Sequence, residues 1–125
     1  MKPLILIIDD EEDILELVTY NFRRAGFRVA SFAEAEPALR FLAVHRPEVI
    51  LCDWMMPGMT GIDVCRQIKS DLSLADIPFV MVTCRSEKRA IREARAEGVT
   101  DYITKPVRIQ DLVRRVKNLI RDQAA

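Results

Sequence analysis

The pattern that most constrains the fold is a repeated alternation between short apolar runs and longer segments with apolar residues at helical spacing. Leu4 to Ile8 is apolar at every position, as expected for a strand that is buried on both faces of a sheet. In the segment that follows, Ile14, Val18 and Phe22 recur every four residues and mark one face of a helix. The same order of strand and then helix occurs five times along the chain. A chain of this kind is expected to form a parallel sheet that helices cover on both faces.

The boundaries of these segments define the predicted topology. The predicted strands are 4–8, 28–32, 49–52, 79–82 and 101–104. The first three predicted helices carry their apolar positions within 14–22, 38–42 and 62–68, with Pro37 in the first turn of the second, and the last two helices are predicted over 86–97 and 109–120. Right-handed crossovers then place helices on both sides of the sheet. We therefore predict a single domain over residues 1–125 in the α/β class: a doubly wound, flavodoxin-like sheet of five parallel strands in the order 2-1-3-4-5, with five helices.

Composition excludes several other classes of protein. The longest purely apolar run has five residues, whereas a transmembrane helix needs about 20. The same run is too short and too close to Met1 for a signal peptide. The three cysteines and the single histidine lack a metal-ligand spacing and favour a reducing compartment. We therefore expect a cytoplasmic protein without a membrane partner.

The balance of charge argues against nucleic acid as a direct partner. Lysine plus arginine and aspartate plus glutamate number 19 each, so the chain has no overall field that would attract a polyanion. The last third is richer in basic residues, but acidic residues such as Glu93 and Glu97 lie between them. This interleaving is typical of a solvated or ion-paired surface.

The residues that directly follow the strands are the candidates for a site, because ligands of such sheets bind beyond the carboxyl ends of the strands. These residues are Asp9, Asp10, Asp53, Thr83 and Lys105. Several have a structural alternative: Asp9 and Asp10 would suit the N-terminus of the first helix. Thr83 alone fits a local turn, and Lys105 alone fits a solvated lysine. Asp53 follows a fully apolar strand, where a carboxylate is costly unless it is paired, and the joint pattern therefore favours one convergent site.

Such a site would bind a cation and act on phosphate. Clustered carboxylates repel one another, and their hard oxygen ligands favour Mg²⁺ or Ca²⁺, of which we expect Mg²⁺. A carboxylate beside Mg²⁺ can attack phosphorus and form an aspartyl phosphate. Lys105 would then neutralise charge on the transferred group, and a hydroxyl would donate a hydrogen bond to it.

With these motifs the sequence resembles, over essentially its whole length, the receiver domains of two-component response regulators. The matching segments are Asp9-Asp10, Asp53 to Pro57 with Gly61, Thr83 after an apolar strand, and Asp101 to Pro106. The resemblance implies a phosphorylation-activated switch that regulates an output domain or a partner, and not a conventional enzyme, since such a domain catalyses only its own phosphorylation and dephosphorylation.

The resemblance also implies roles for individual residues. Asp53 would accept the phosphoryl group from a sensor histidine kinase or a phosphotransfer protein. Asp10 and Asp53 would bind Mg²⁺ through their carboxylates and Met55 through its backbone carbonyl, with Asp9 acting largely through bound water. Lys105 would assist the transfer.

Two further roles concern conformational change. Thr83 and Tyr102 match the switch pair of the family, in which the hydroxyl moves toward the phosphate and the aromatic ring turns inward. The Lys105-Pro106 peptide bond would be cis, a state that is accessible mainly before proline.

The sequence departs from the family pattern at two positions. Cys84 stands where a small residue is usual, and it either restricts access to the phosphoryl site or packs, of which we favour packing. Val107 stands where phenylalanine is frequent. Cys52 and Cys65 are interpreted as core residues, and Met56 is expected to pack.

Met55 and Arg85, two residues after Asp53 and Thr83, are interpreted with Cys84 as rate-tuning residues. Methionine offers no good hydrogen bond to orient an attacking water, and arginine is a donor only. Arg85 would instead reach an acidic rim or the phosphoryl oxygens. This predicts a long-lived phosphorylated state, suited to slow outputs such as transcription.

Other classes of protein fit less well. A pseudo-receiver, which interacts without phosphorylation, usually lacks some of the pocket residues that are present here. A flavin-binding protein of this fold would need a loop rich in serine, threonine or glycine after the first strand, and a phosphatase that uses aspartate would need an aspartate in place of Met55.

The oligomeric state and the output are left open by the sequence. One prediction is a homodimer through the face formed by the last two helices and the fifth strand, with Asp101 and Asp111 opposite Arg115 and Lys117 of a two-fold mate. The alternative is that these charges pair within the chain. The chain is either a stand-alone regulator or the N-terminal receiver of a longer one.

Overall fold

Five strands and five helices alternate along residues 1–124, the part of the chain that the computed structural model describes. The strands are β1 (Leu4–Ile8), β2 (Arg28–Phe32), β3 (Val49–Cys52), β4 (Phe79–Thr83) and β5 (Asp101–Thr104). The helices are α1 (Glu12–Arg24), α2 (Ala35–Leu42), α3 (Gly61–Lys69), α4 (Lys88–Ala96) and α5 (Ile109–Ala124). All strand pairs are parallel, and the sheet order is β2-β1-β3-β4-β5. The predicted class, topology and strand order are confirmed.

The two faces of the sheet carry two separate hydrophobic clusters. Leu6 and Ile8 of β1 pack with buried residues of α2, α3 and α4. Ile5 and Ile7 of the same strand pack on the opposite face with residues of α1 and α5. Because successive side chains of a strand point to opposite faces, the unbroken apolar runs of the sequence supply both clusters at once.

The ends of two helices differ from the sequence-based bounds. The helix predicted over 86–97 is α4, which begins at Lys88 because its N-cap residue, Glu87, has an extended backbone with a ψ of 141°. The last helix extends past Ile120 to Ala124; the residues of this final turn are exposed and offer no buried apolar position from which its end could be predicted. Even so, α5 has 16 residues, and none of the described helices is long and apolar enough to span a membrane.

The start of α3 holds the loop after β3 against the end of the sheet. Thr60 and Asp63 form a reciprocal capping box at this helix start. A Cβ atom at Gly61 would collide with the backbone carbonyl of Asp53, so only glycine permits this close approach. The carboxyl end of β3 is thereby placed directly beside the first turn of α3.

Candidate functional site

Charged side chains from three strand ends meet at the carboxyl edge of the sheet. The ammonium of Lys105 donates to the carboxylate of Asp9 at 2.8 Å and to that of Asp53 at 3.1 Å. A longer contact of 3.4 Å joins it to Glu11, which the sequence analysis did not identify. Lys105 and Asp9 are 96 residues apart in the chain. The bond from Lys105 to Pro106 is cis, as the resemblance implied.

These groups are buried, and burial together with their mutual contacts shifts the pKa values of Asp9 and Lys105. Asp9 and Asp53 are only 6% and 5% exposed. Burial raises the pKa of Asp9, and hydrogen bonds from Lys105 and from the backbone of Glu11 offset this only in part. Burial by itself would lower the pKa of Lys105, but the hydrogen bond to Asp9 and the charges of Asp53 and Asp9 outweigh it and raise the pKa. The carboxylates therefore stabilise the protonated form of Lys105. Its single positive charge does not fully offset the effect of burial on the pKa of Asp9.

Three carboxylates are close enough to share a metal ion. One oxygen each from Asp9, Asp10 and Asp53 lies within 4.8 Å of the others. The backbone N–H of Met55 donates to the carboxylate of Asp53 at 3.2 Å, which places the Met55 backbone beside this cluster. A set of carboxylate oxygens with surplus negative charge suits a hard divalent cation such as Mg²⁺.

Neither of the first two aspartates is the N-cap residue of the first helix. The N-cap residue of α1 is Glu11, and no side chain caps this helix. The carboxylate of Asp9 instead accepts the backbone N–H of Glu11 at 2.9 Å, one residue before the helix begins. Asp9 is thus oriented by the chain that follows it, with its other oxygen on Lys105.

The predicted switch residues lie beside this cluster and contact the loop after β4. Thr83 is completely buried, and its hydroxyl accepts the backbone N–H of Arg85 at 3.4 Å. The hydroxyl therefore serves a local turn, which is the structural alternative predicted for Thr83. Thr83 lies at the same edge of the sheet as Asp53. The hydroxyl of Tyr102, a mostly buried residue, donates to the backbone carbonyl of Arg85 at 2.6 Å. Both switch residues are thus connected to the same short loop.

Arg85 occupies a position that its sequence context did not indicate. Its guanidinium carbon lies 4.3 Å from the centre of the Trp54 ring, within the range of a cation–π contact. The same group pairs with Glu87 at 3.0 Å. Trp54 also meets the ring of Tyr102 edge-on at 6.4 Å. No motif signals this arrangement, because a flexible arginine near several acids and rings has many local partners.

The cysteines and methionines divide into buried and exposed groups. Cys52 and Cys65 are buried, as predicted, and Met56 packs in the core. Cys84 is exposed, so the interpretation that it packs is wrong. This follows from its place just beyond β4, where the strand leaves the core. Met55 is 58% exposed, which is consistent with a place at the mouth of the site.

Three of the four charges that were predicted to form a dimer contact, Asp101, Asp111 and Arg115, have partners within the chain. Arg115 pairs with Asp101 at 2.7 Å, and Arg114 pairs with Asp111 at 2.8 Å. This is the intrachain pairing that the alternative described, and the dimer remains a prediction.

Comparison with known proteins finds the family that the sequence motifs resemble, along nearly the whole chain. Residues 5–117 match the family described as "Response regulator receiver domain". The chain is 33% identical over 121 residues to the phosphate regulon transcriptional regulatory protein PhoB of Rhizobium meliloti, covering 97% of this chain and 53% of that protein. It is 36% identical to the DNA-binding response regulator MtrA of Mycobacterium tuberculosis, covering 97% of this chain and 52% of that protein. The chain thus spans about half the length of the curated relatives it matches.

Solved structures agree with this assignment. A putative response regulator from Chloroflexus aurantiacus is 30% identical and superposes with a TM-score of 0.90, covering 97% of this chain and 99% of that one. The receiver domain of a signal transduction histidine kinase from Syntrophus aciditrophicus is 31% identical, with a TM-score of 0.89, and covers 96% of this chain and 91% of that one.

Proposed function

The chain belongs to the response regulator receiver domain family, and from this premise we propose that Asp53 is its phosphoacceptor. Proteins of this family are regulatory and act together with sensor histidine kinases. The observation that most supports Asp53 is its place in the charged cluster, where its carboxylate lies 3.1 Å from the ammonium of Lys105. The phosphoryl donor would be a sensor histidine kinase or a phosphotransfer protein.

The chemistry of this transfer follows from the cluster. An oxygen of the Asp53 carboxylate forms a bond to phosphorus while the bond from phosphorus to the nitrogen of the donor breaks. Lys105 is held as a cation beside the nucleophile and offsets negative charge on the phosphoryl oxygens. The chain would thereby catalyse its own phosphorylation and, later, its own dephosphorylation.

The carboxylates fit a magnesium ion, which supports Mg²⁺ as the cofactor. Asp10 and Asp53 would bind it through their carboxylates, Met55 through its backbone carbonyl and Asp9 largely through water. When bound, Mg²⁺ would neutralise charge on the transferred phosphoryl group. Without a divalent ion, the surplus negative charge of the cluster would oppose the approach of a phosphodonor.

We propose that the loop after β4 transmits the signal. A new phosphoryl charge on Asp53 would attract the hydroxyl of Thr83, which now accepts the N–H of Arg85. Tyr102 is bonded to the carbonyl of that same residue, so a shift of the loop would change both contacts together. The relatives of about twice this length are named as transcriptional or DNA-binding regulators, which supports transcription as the output.

The first experiment is labelling of Asp53→Asn with a small phosphodonor in the presence of Mg²⁺. The variant should incorporate no phosphate, because an amide is a poor nucleophile. Asp122→Asn, an exposed change on α5, should be labelled like the parent. Fluorescence of Trp54, the only tryptophan, should respond saturably to Mg²⁺ and then to beryllofluoride. Unchanged labelling of Asp53→Asn would mean that the phosphoacceptor has been misassigned.

We further propose that Met55 and Arg85 give a long-lived phosphorylated state, with Cys84 at the same opening. Arg85 is bound to Trp54 and Glu87 and offers no acceptor to an attacking water. Replacing Met55 with Asn and Arg85 with Glu should shorten the lifetime, measured as decay of phosphorylated protein after the donor is removed. Glu87→Gln, which releases Arg85 without adding a carboxylate, should decay like the parent. If the double variant loses its phosphoryl group no faster than the parent, the proposed role of Met55 and Arg85 is contradicted.

A further inference from the structure

A cavity of about 370 Å³ lies between α1 and α5, above the second hydrophobic cluster. Its walls are apolar and come from both helices and from the strand ends beneath them; they include Ile14, Val18, Leu51, Val82, Val107 and Leu112. A space of this size is within the range of small-molecule sites, about 300–1,000 Å³. At one end it opens onto the charged cluster described above.

The cavity has a buried floor and a short side chain at its opening. Leu51 of β3 and Leu112 of α5 line its floor, and each is 2% exposed. Val107, between β5 and α5, is half-buried and lines the opening with a short, branched side chain. A larger ring at this position would occupy the space that valine leaves.

The polar end of the cavity carries a net negative charge. Asp9, Glu11, Asp53 and Lys105 all line it, so three carboxylates face one ammonium. The contact from Lys105 to Glu11 is the longest of its three, and the Glu11 side chain is 54% exposed. Glu11 is therefore the carboxylate with the most remaining capacity to bind a cation from solvent.

We propose that this cavity binds a small molecule with an apolar ring body and a protonated amine. The ring would lie among the side chains of α1 and α5, and the amine would meet Glu11 and Asp9. Amine binding would be an activity distinct from the phosphoacceptor role of Asp53, although Asp53 itself lines the same cavity. An occupied cavity would therefore change the affinity of the cluster for cations, and bound cations would change the affinity for the amine by the same factor.

The test is a titration of the metal-free protein with tryptamine, followed by NMR of the isoleucine, leucine and valine methyl groups. Saturable shifts are expected at Ile14, Val18 and Leu112. Indole-3-propionate, which carries a carboxylate in place of the amine, should bind more weakly by about tenfold. Equal binding of the two compounds, or shifts confined to residues outside the cavity, would overturn the proposal.

A matched pair of variants tests the location. Val107→Phe should weaken tryptamine binding by about tenfold or more and raise the Tm by about 2–6 °C, because the ring fills the cavity. Val44→Phe adds the same ring at a site that is 79% exposed and should change neither value. If Val107→Phe does not fold, Val107→Leu should give a smaller loss of binding. Tryptamine affinity that is unchanged in both variants at position 107 would rule out this site.

Discussion

Ion pairs occur in two regions of this molecule at nearly the same distances and in very different surroundings. At the carboxyl edge of the sheet, Lys105 contacts Asp9 at 2.8 Å, and the two side chains are 10% and 8% exposed. On α5, Arg115 contacts Asp101 at 2.7 Å, but its side chain is 43% exposed. Exposed pairs contribute about 0–1 kcal/mol, whereas loss of one partner from a buried pair costs about 3–5 kcal/mol. Burial, and not distance, decides how much each pair matters.

The difference also separates stability from function. The buried region holds more carboxylates than its one ammonium can balance, which is unfavourable for the folded state in the absence of a cation. The same surplus of negative charge favours the binding of a divalent cation. The pairs on α5 are balanced one to one and gain little from any ligand.

The largest expected effect comes from removing the buried ammonium. Lys105→Met should lower the free energy of unfolding by about 3 kcal/mol in metal-free buffer, because Asp9 and Asp53 lose their only close cation among residues 1–124. Urea unfolding provides the measurement. Lys88→Met, at an exposed position on α4, should change stability by less than about 0.5 kcal/mol. Similar losses in both variants would mean that the buried ion pairs of Lys105 do not set the cost of its removal.

A smaller effect of opposite sign is expected when one carboxylate of the cluster is neutralised. Asp10→Asn should stabilise the metal-free protein by about 1 kcal/mol, because it removes repulsion from Asp9 and Asp53. It should also weaken the binding of Mg²⁺. Thermal unfolding with and without Mg²⁺ measures both effects. A lower metal-free Tm would show that Asp10 supports the fold directly, and the comparison would then have to be revised.

The smallest effect is expected at the surface ion pair between Asp101 of β5 and Arg115 of α5. Asp101→Asn should lower the free energy of unfolding by less than about 1 kcal/mol, since its partner Arg115 stays solvated after the change.

The same residues test the predicted homodimer through α4, β5 and α5. Sedimentation with and without beryllofluoride should show a larger mass on activation if Arg115 exchanges its intrachain partner for one in a second copy. A constant mass at high concentration would leave the intrachain pairs as their only role.

The order of elements and the class of fold were determined by the sequence alone. Apolar runs such as Leu4 to Ile8 indicate strands that are buried on both faces, and helical spacing between them leaves few topologies. Because ligands of such sheets bind beyond the strand ends, the chain positions of Asp9, Asp53 and Lys105 were enough to predict that they meet. The ends of α4 and α5 were predicted less well, since polar helix termini carry no apolar signal.

Only the tertiary structure decided where the flexible side chains go and how space is distributed. The contacts of Arg85 with Trp54 and of Glu11 with Lys105 depend on neighbours from distant segments. The cavity beside Val107 depends on how closely α1 and α5 approach over the sheet. The physical reason is that periodicity is a local property of the chain and encodes which face of each element is buried. Contacts between long side chains, and the volume left between helices, are set by many weak interactions that become defined only when all elements are packed together.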